Sequence, residues 1–91
     1  MRFKDGVTDD QVERALAGLA KMPERVPGIL RYEFGLDLGL WEGNHDLAIV
    51  ADFASEDDWR AYQSHPDHIA FSEKDIRPIA ASMTRVQYRV G

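Results

Sequence analysis

The sequence predicts an α+β domain in which two helical regions cover one face of a small antiparallel sheet, and three observations predict it. Apolar side chains recur at helical spacing from residue 9 to residue 22. Two stretches, 29–37 and 84–90, alternate apolar and polar with period two, and Leu47-Ala48-Ile49-Val50-Ala51 runs apolar without alternation. Proline and glycine fall between these stretches, and the chain shows no repeat, no low-complexity tract and no linker, so residues 1–91 read as one domain.

The first helix is announced by Thr8-Asp9-Asp10-Gln11, a capping box in which the Thr8 hydroxyl and the Gln11 amide satisfy free backbone donors. The two aspartates favour the positive end of the helix dipole. Val12, Ala15, Leu16, Leu19 and Ala20 form one apolar stripe, and Pro23, Pro27 and Gly28 set the expected end near Met22. The second strand follows, with Leu30, Tyr32, Phe34 and Leu36 on one face and Arg31, Glu33 and Asp37 on the other. Gly39 to Asn44 is a turn-rich loop. The apolar run 47–51 then reads as a central strand covered on both faces. Ser55 to Asp58 caps a helix carrying Trp59 and Tyr62, Pro66 opens another helical segment, and Pro78 kinks or ends it. Thr84, Val86, Tyr88 and Val90 alternate with Arg85, Gln87 and Arg89, which predicts a last strand with one polar face.

Strand, helix, strand, strand, helix, strand is the ferredoxin-like βαββαβ order, in which the first and third strands are central. Helices on one face leave Leu, Tyr and Phe side chains of the other uncovered, and a second copy of the chain is the expected cover. The first strand is the element that fits least. A central strand needs about five residues, and only Met1-Arg2-Phe3-Lys4 precede the Asp5-Gly6 turn. The shortened strand leads to the expectation that the domain begins upstream of Met1, with an apolar strand.

Bulk properties narrow the function. A 91-residue chain buries a smaller share of its surface than a larger one, which also favours association. A net charge of −5, with 11 basic residues scattered singly among 16 acidic ones, offers no stripe for a phosphate backbone, so no nucleic acid is expected as partner. No apolar run approaches the ~20 residues that cross a bilayer, there is no charged-then-apolar leader, and without cysteine there are neither disulfides nor thiolate ligands. No membrane partner and a cytoplasmic location are the expectation.

Groups able to move protons cluster only in Tyr62-x-x-His65-Pro66-Asp67-His68-x-x-Phe71. His68 falls in the first turn of the helix opened by Pro66, where the dipole disfavours added positive charge and keeps the imidazole neutral. A neutral imidazole is a general base near pH 7, and a phenol such as Tyr62 supplies a hydrogen bond to a developing oxyanion. The same residues have a structural reading, in which His65 caps the helix and Tyr62 and His68 pack with their polar atoms bonded to backbone. His45, beside Asp46, reads as a strand-end residue. His65 and His68 lack a third ligand in suitable phase, so neither a metal nor another cofactor is expected. Trp59, Tyr62 and Phe71 read as core by their helical spacing, and Tyr32, Phe34 and Trp41 serve equally as dimer interface or ligand pocket; either way they bound one cavity, suited to a flat, mostly apolar small molecule.

The Tyr-x-x-His-Pro-x-His-x-x-Phe string, within a stretch running from Phe3-Lys4-Asp5-Gly6 to about Val90, resembles the stress-responsive dimeric α/β-barrel (Dabb) family. The resemblance implies a dimeric barrel and, through a plant polyketide cyclase of that family, roles for two residues. His68 would remove a proton alpha to a carbonyl and Tyr62 would stabilise the oxygen. A further histidine on that enzyme's first strand has no counterpart here. Two functions therefore stand side by side: a lyase, cyclase or isomerase acting through Tyr62 and His68, with His65, Tyr32, Phe34, Trp59 and Phe71 around the ligand, or a non-catalytic ligand-binding or stress-tolerance barrel. An open pocket reaching His68 favours the first; a space filled by side chains, with His68 bonded inward, favours the second.

Overall fold

The computed structural model describes residues 1–90. Elements follow in the order β1 (Arg2–Phe3), α1 (Asp9–Arg25), β2 (Ile29–Leu36), β3 (Leu47–Phe53), α2 (Glu56–Ser64), α3 (Pro66–Phe71), a π-helical turn (Ser72–Ile76) and β4 (Ala80–Ser82). The capping box forms at Thr8 as expected, but α1 continues past Met22 to Arg25 with Pro23 inside it. Proline in a last turn removes one hydrogen bond near a helix end, and Val26 N–H closes the helix by donating to Met22 O at 2.9 Å. Keeping Met22 and Val26 in helical phase with Ala15 and Leu19 buries all four almost completely. At about 1.5–3 kcal/mol for each large apolar side chain, that outweighs one missing bond.

The ferredoxin-like sheet is divided into two ladders. β2 pairs antiparallel with β3 from Ile29↔Phe53 to Leu36↔Leu47, with a register shift between Ile29 and Arg31, and β1 pairs antiparallel with β4 through Arg2↔Ser82 and Phe3↔Ala80. Met1 joins them: its amino group donates to Leu47 O at 2.7 Å, and its carbonyl accepts from Asp46 N and Leu47 N. Two expectations change as a result. β3 pairs along its length only with β2, and Ile49 and Val50 are 36% and 45% exposed, so it is not covered on both faces. The final strand is Ala80–Ser82 rather than 84–90. Arg2 already pairs with Ser82, and β1 runs antiparallel, so the residues after Ser82 lie beyond its ladder. The alternating segment 84–90 is extended in pattern but unpaired, with Val86, Tyr88 and Val90 more than three-quarters exposed.

The face assignment of β2 also changes. Tyr32, Phe34 and Leu36 stand opposite Ala51, Ile49 and Leu47, and Tyr32 and Phe34 pack toward the helices and the core cluster. The face turned away carries Arg31, Glu33 and Asp52, linked by exposed ion pairs of 2.8 Å (Arg31–Glu33) and 3.4 Å (Arg31–Asp52). Aromatic side chains of β2 therefore do not need a second copy to cover them. Such solvated ion pairs contribute little to stability, because water screens them.

The core lies between α1 and the chain from Tyr62 onward. Leu19, Met22, Val26 and Ile79 are its most buried large side chains, with Phe71 and Ile76 beside them. A Cβ on Gly18 would collide with the Phe71 ring. Gly18→Ala sets a helix-propensity gain of about 1 kcal/mol against overpacking that costs about 1–3 kcal/mol, and the buried ring has little room to retreat. The expected outcome in thermal or urea unfolding is a less stable protein, by about 1–2 kcal/mol; a gain in stability would show that Phe71 does not seat on α1.

Candidate functional site

A proline and a histidine build the site. Ser55 Oγ accepts from Asp58 N at 3.1 Å and starts α2, whose first turn holds Glu56, Asp57 and Asp58. α2 ends at His65 because a residue before proline is held extended, here at φ −65°, ψ 132°. His65 then caps the next helix, its Nδ1 accepting from Asp67 N at 3.1 Å, and Pro66 occupies the first turn where its missing N–H costs nothing. The break folds α3 back on α2 and brings His68 against Tyr62, with ring centroids 4.1 Å apart and planes inclined by 38°.

Tyr62 is the centre of the cluster and is only 8% exposed. Its ring lies 5.3 Å from Phe53 and 6.2 Å from Tyr32, and its hydroxyl is 2.9 Å from that of Tyr32. Phe34 extends the group, edge-on to Tyr32 at 6.5 Å. Burial pushes both phenols above the ordinary tyrosine range; their hydroxyl pairing pushes Tyr32 further up and draws Tyr62 back. Both are therefore neutral at pH 7. His68 is shifted the other way, downward, chiefly by burial, with Arg85 and His65 adding to the shift and the Gln63 backbone opposing it. Its Nδ1 is buried and makes no hydrogen bond of good geometry among the described residues, although the Gln63 backbone lies close enough to act on the ring. A buried polar atom left so costs about 1–3 kcal/mol, which marks it as the unfinished part of the cluster.

Of the residues singled out by sequence, Tyr62, His68, Tyr32 and Phe34 come together. His65 is adjacent, but its Nδ1 serves as the cap. Trp59 is half-buried one turn before Tyr62, Phe71 is buried on the side of Gly18, and Trp41 is 78% exposed in the β2–β3 loop, away from the cluster. Phe53 was not anticipated, although it shares the strand phase of Leu47, Ile49 and Ala51. Arg85, whose charge reaches His68, was foreseen only as part of a strand's polar face. Two open concavities, of about 580 and 520 Å³, lie elsewhere: one beside Phe3, Gly6 and Val12, the other beneath Leu36, Leu38 and His45. Among the described residues no group of three or more His, Asp or Glu is arranged to hold a metal ion, and no helix is long and apolar enough to cross a membrane.

The family model described as the stress responsive A/B barrel domain, Dabb, matches residues 1–90. Among solved structures, a dimeric ferredoxin-like protein of unknown function from Thermobifida fusca is 47% identical, with a TM-score of 0.89 over 98% of this chain and 83% of that one. A dimeric protein of unknown function and ferredoxin-like fold from Bacteroides fragilis shares the fold at 22% identity, with a TM-score of 0.65 over 79% of this chain and 73% of that one. No curated protein matches the chain.

Folded His68 holds its proton less tightly than the free imidazole of the unfolded chain, whose ordinary pKa is 6.5. Its contribution to stability is therefore complete above that value and is lost as pH falls through the lower, folded one. Urea unfolding at about pH 7.5 and about pH 5 should show a drop in stability that is smaller in His68→Gln than in the wild type. An equal drop in both would mean that His68 is not the group that acid protonates.

Proposed function

The chain belongs to the family of stress responsive A/B barrel (Dabb) domains, and on that premise we propose that it is a homodimeric protein that binds a small, largely apolar or aromatic metabolite and moves a proton on it with Tyr62 and His68. The observation that carries this reading is the buried Nδ1 of His68, without a hydrogen bond of good geometry, beside the Tyr62–Tyr32 hydroxyl pair. An imidazole kept neutral by burial, beside two converging phenols, gives proton transfer the three groups it uses.

In the reaction, His68 accepts a proton from a carbon next to a carbonyl. The C–H bond breaks, an N–H bond forms, and the electron pair moves onto the carbonyl oxygen as an enolate. Tyr62 donates a hydrogen bond to that oxygen, where charge develops, and Tyr32 holds the Tyr62 hydroxyl in place. Return of the proton elsewhere on the molecule, or attack of the enolate carbon on a second carbonyl, makes the outcome an isomerisation or a cyclase- or lyase-type step. Phe34 and Phe53 offer flat apolar surface to the rest of the ligand. Both neighbouring structures described above are dimers, which supports the homodimer.

Two observations favour the non-catalytic reading: Tyr62 is buried while the two concavities described above lie elsewhere, and the Gln63 backbone hydrogen-bonds the His68 ring. An aromatic β-diketone such as benzoylacetone separates the two. Loss of its α-hydrogen to deuterated solvent, followed by NMR, should be accelerated by the wild-type protein, and His68→Ala or Tyr62→Phe should remove about 100-fold or more of that acceleration. If the variants only lower the melting temperature while binding and exchange persist, Tyr62 and His68 are structural.

A further inference from the structure

The two ring nitrogens of His68 face different surroundings. The residue as a whole is half-buried. Nδ1 is enclosed and without a good hydrogen bond, whereas Nε2, bonded to no described group either, is not enclosed and so lies at the open edge of the ring. A ligand approaching the cluster therefore meets Nε2.

The break between α2 and α3 holds a partner for the enclosed atom. The last carbonyls of a helix lack donors from their own helix. At the end of α2, Tyr62 O is met by His65 N at 3.2 Å. Gln63 O would ordinarily receive the N–H of Asp67, one helical turn on, but that N–H is turned to His65 Nδ1 at 3.1 Å, and Pro66 has none to give. What reaches Gln63 instead is the His68 ring. The Gln63 backbone favours the protonated imidazole, as a carbonyl acceptor does and an N–H would not.

Resting on the proton-transfer reading above and deepening it, we infer that the main-chain carbonyl of Gln63 is the seat of His68 Nδ1–H, which holds the ring in the tautomer whose lone pair is on Nε2 and makes Nε2 the atom that takes the proton. Free histidine in water carries its proton mainly on Nε2, so the seat reverses the ordinary preference. In the step, the C–H bond of the ligand breaks, Nε2–H forms and the electron pair moves onto the carbonyl oxygen. The ring is then an imidazolium whose other N–H already faces Gln63 O. A hydrogen bond from a charged donor is shorter and stronger than one from a neutral donor, so a contact poorly aligned at rest tightens as the proton arrives. Gln63 acts through His68, as a positioning residue, and by its main chain.

The test is long-range 1H–15N correlation of the whole 15N-labelled chain at about pH 8, where the imidazole is neutral, with the His68 signals assigned by their loss in His68→Gln. His68 should show a protonated Nδ1 and a lone pair on Nε2; a ring with its proton on Nε2 overturns the seat. His65→Ala removes the group that engages Asp67 N and frees that N–H for Gln63 O. In this variant the Nδ1–H share of His68 should fall about threefold or more, and the exchange of benzoylacetone with it. An unchanged share means that another group holds the proton, and overturns the inference. Should the variant misfold, the wild-type spectrum decides alone. An Nδ1–H ring in a chain that does not accelerate exchange supports the seat and overturns only the reaction, whereas accelerated exchange by an Nε2–H ring overturns the seat and leaves the reaction standing.

Discussion

The ring of Phe71 reaches α1 only because residue 18 has no side chain, and that contact fixes the position of α3 on the first helix. His68 lies three residues before Phe71 on the same short helix, so the depth to which the ring seats sets where the imidazole stands. Tyr62 is held from the other direction, through the turn at His65–Pro66. The stacking of His68 on Tyr62 is thus the meeting point of two restraints, a glycine in α1 and a proline between α2 and α3. Neither belongs to the cluster it positions.

The electrostatic character of the cluster follows from that packing. Enclosure in aromatic rings shifts each ionisable group toward its neutral form, raising the two tyrosines and lowering the histidine. In that medium a hydrogen bond is stronger than in water and a missing one is more costly. The hydroxyl pair of Tyr32 and Tyr62 meets this demand, whereas Nδ1 of His68 does not. By contrast the outward face of the sheet is solvated, and its Arg31, Glu33 and Asp52 charges keep it wet at little energetic consequence. The two faces of β2 therefore differ in kind: one packs its rings against Tyr62 and the core, the other is solvated.

Much of the fold was legible because local signals agree with each other. The capping box at Thr8, the period-two pattern of β2, the apolar run of β3 and the Pro66 break each rest on residues close in sequence, and each forms where expected. The approach of Tyr62 to His68 was legible for the same reason, since a short spacing and a proline between them constrain both. The cross-sheet members were less so. Phe53 and the Tyr32 hydroxyl reach Tyr62 from β3 and β2, and only the packing of helices on strands decides which face of each strand turns inward.

By itself, the sequence determined α1, β2, β3 and the break between α2 and α3, their order, the family and the residue types able to handle a proton, because helix spacing, strand alternation and caps act over a few neighbouring residues. Tertiary structure decided the rest. It let α1 run through Pro23 because Met22 and Val26 gain more by burial than the helix loses in one bond. It turned Tyr32 and Phe34 toward the helices, leaving the outer face to ions, and it ended β4 at Ser82 because pairing requires a strand alongside and alternation alone does not provide one. Burial, pairing and exposure are sums over residues distant in sequence, which is why they become visible only when the chain is folded.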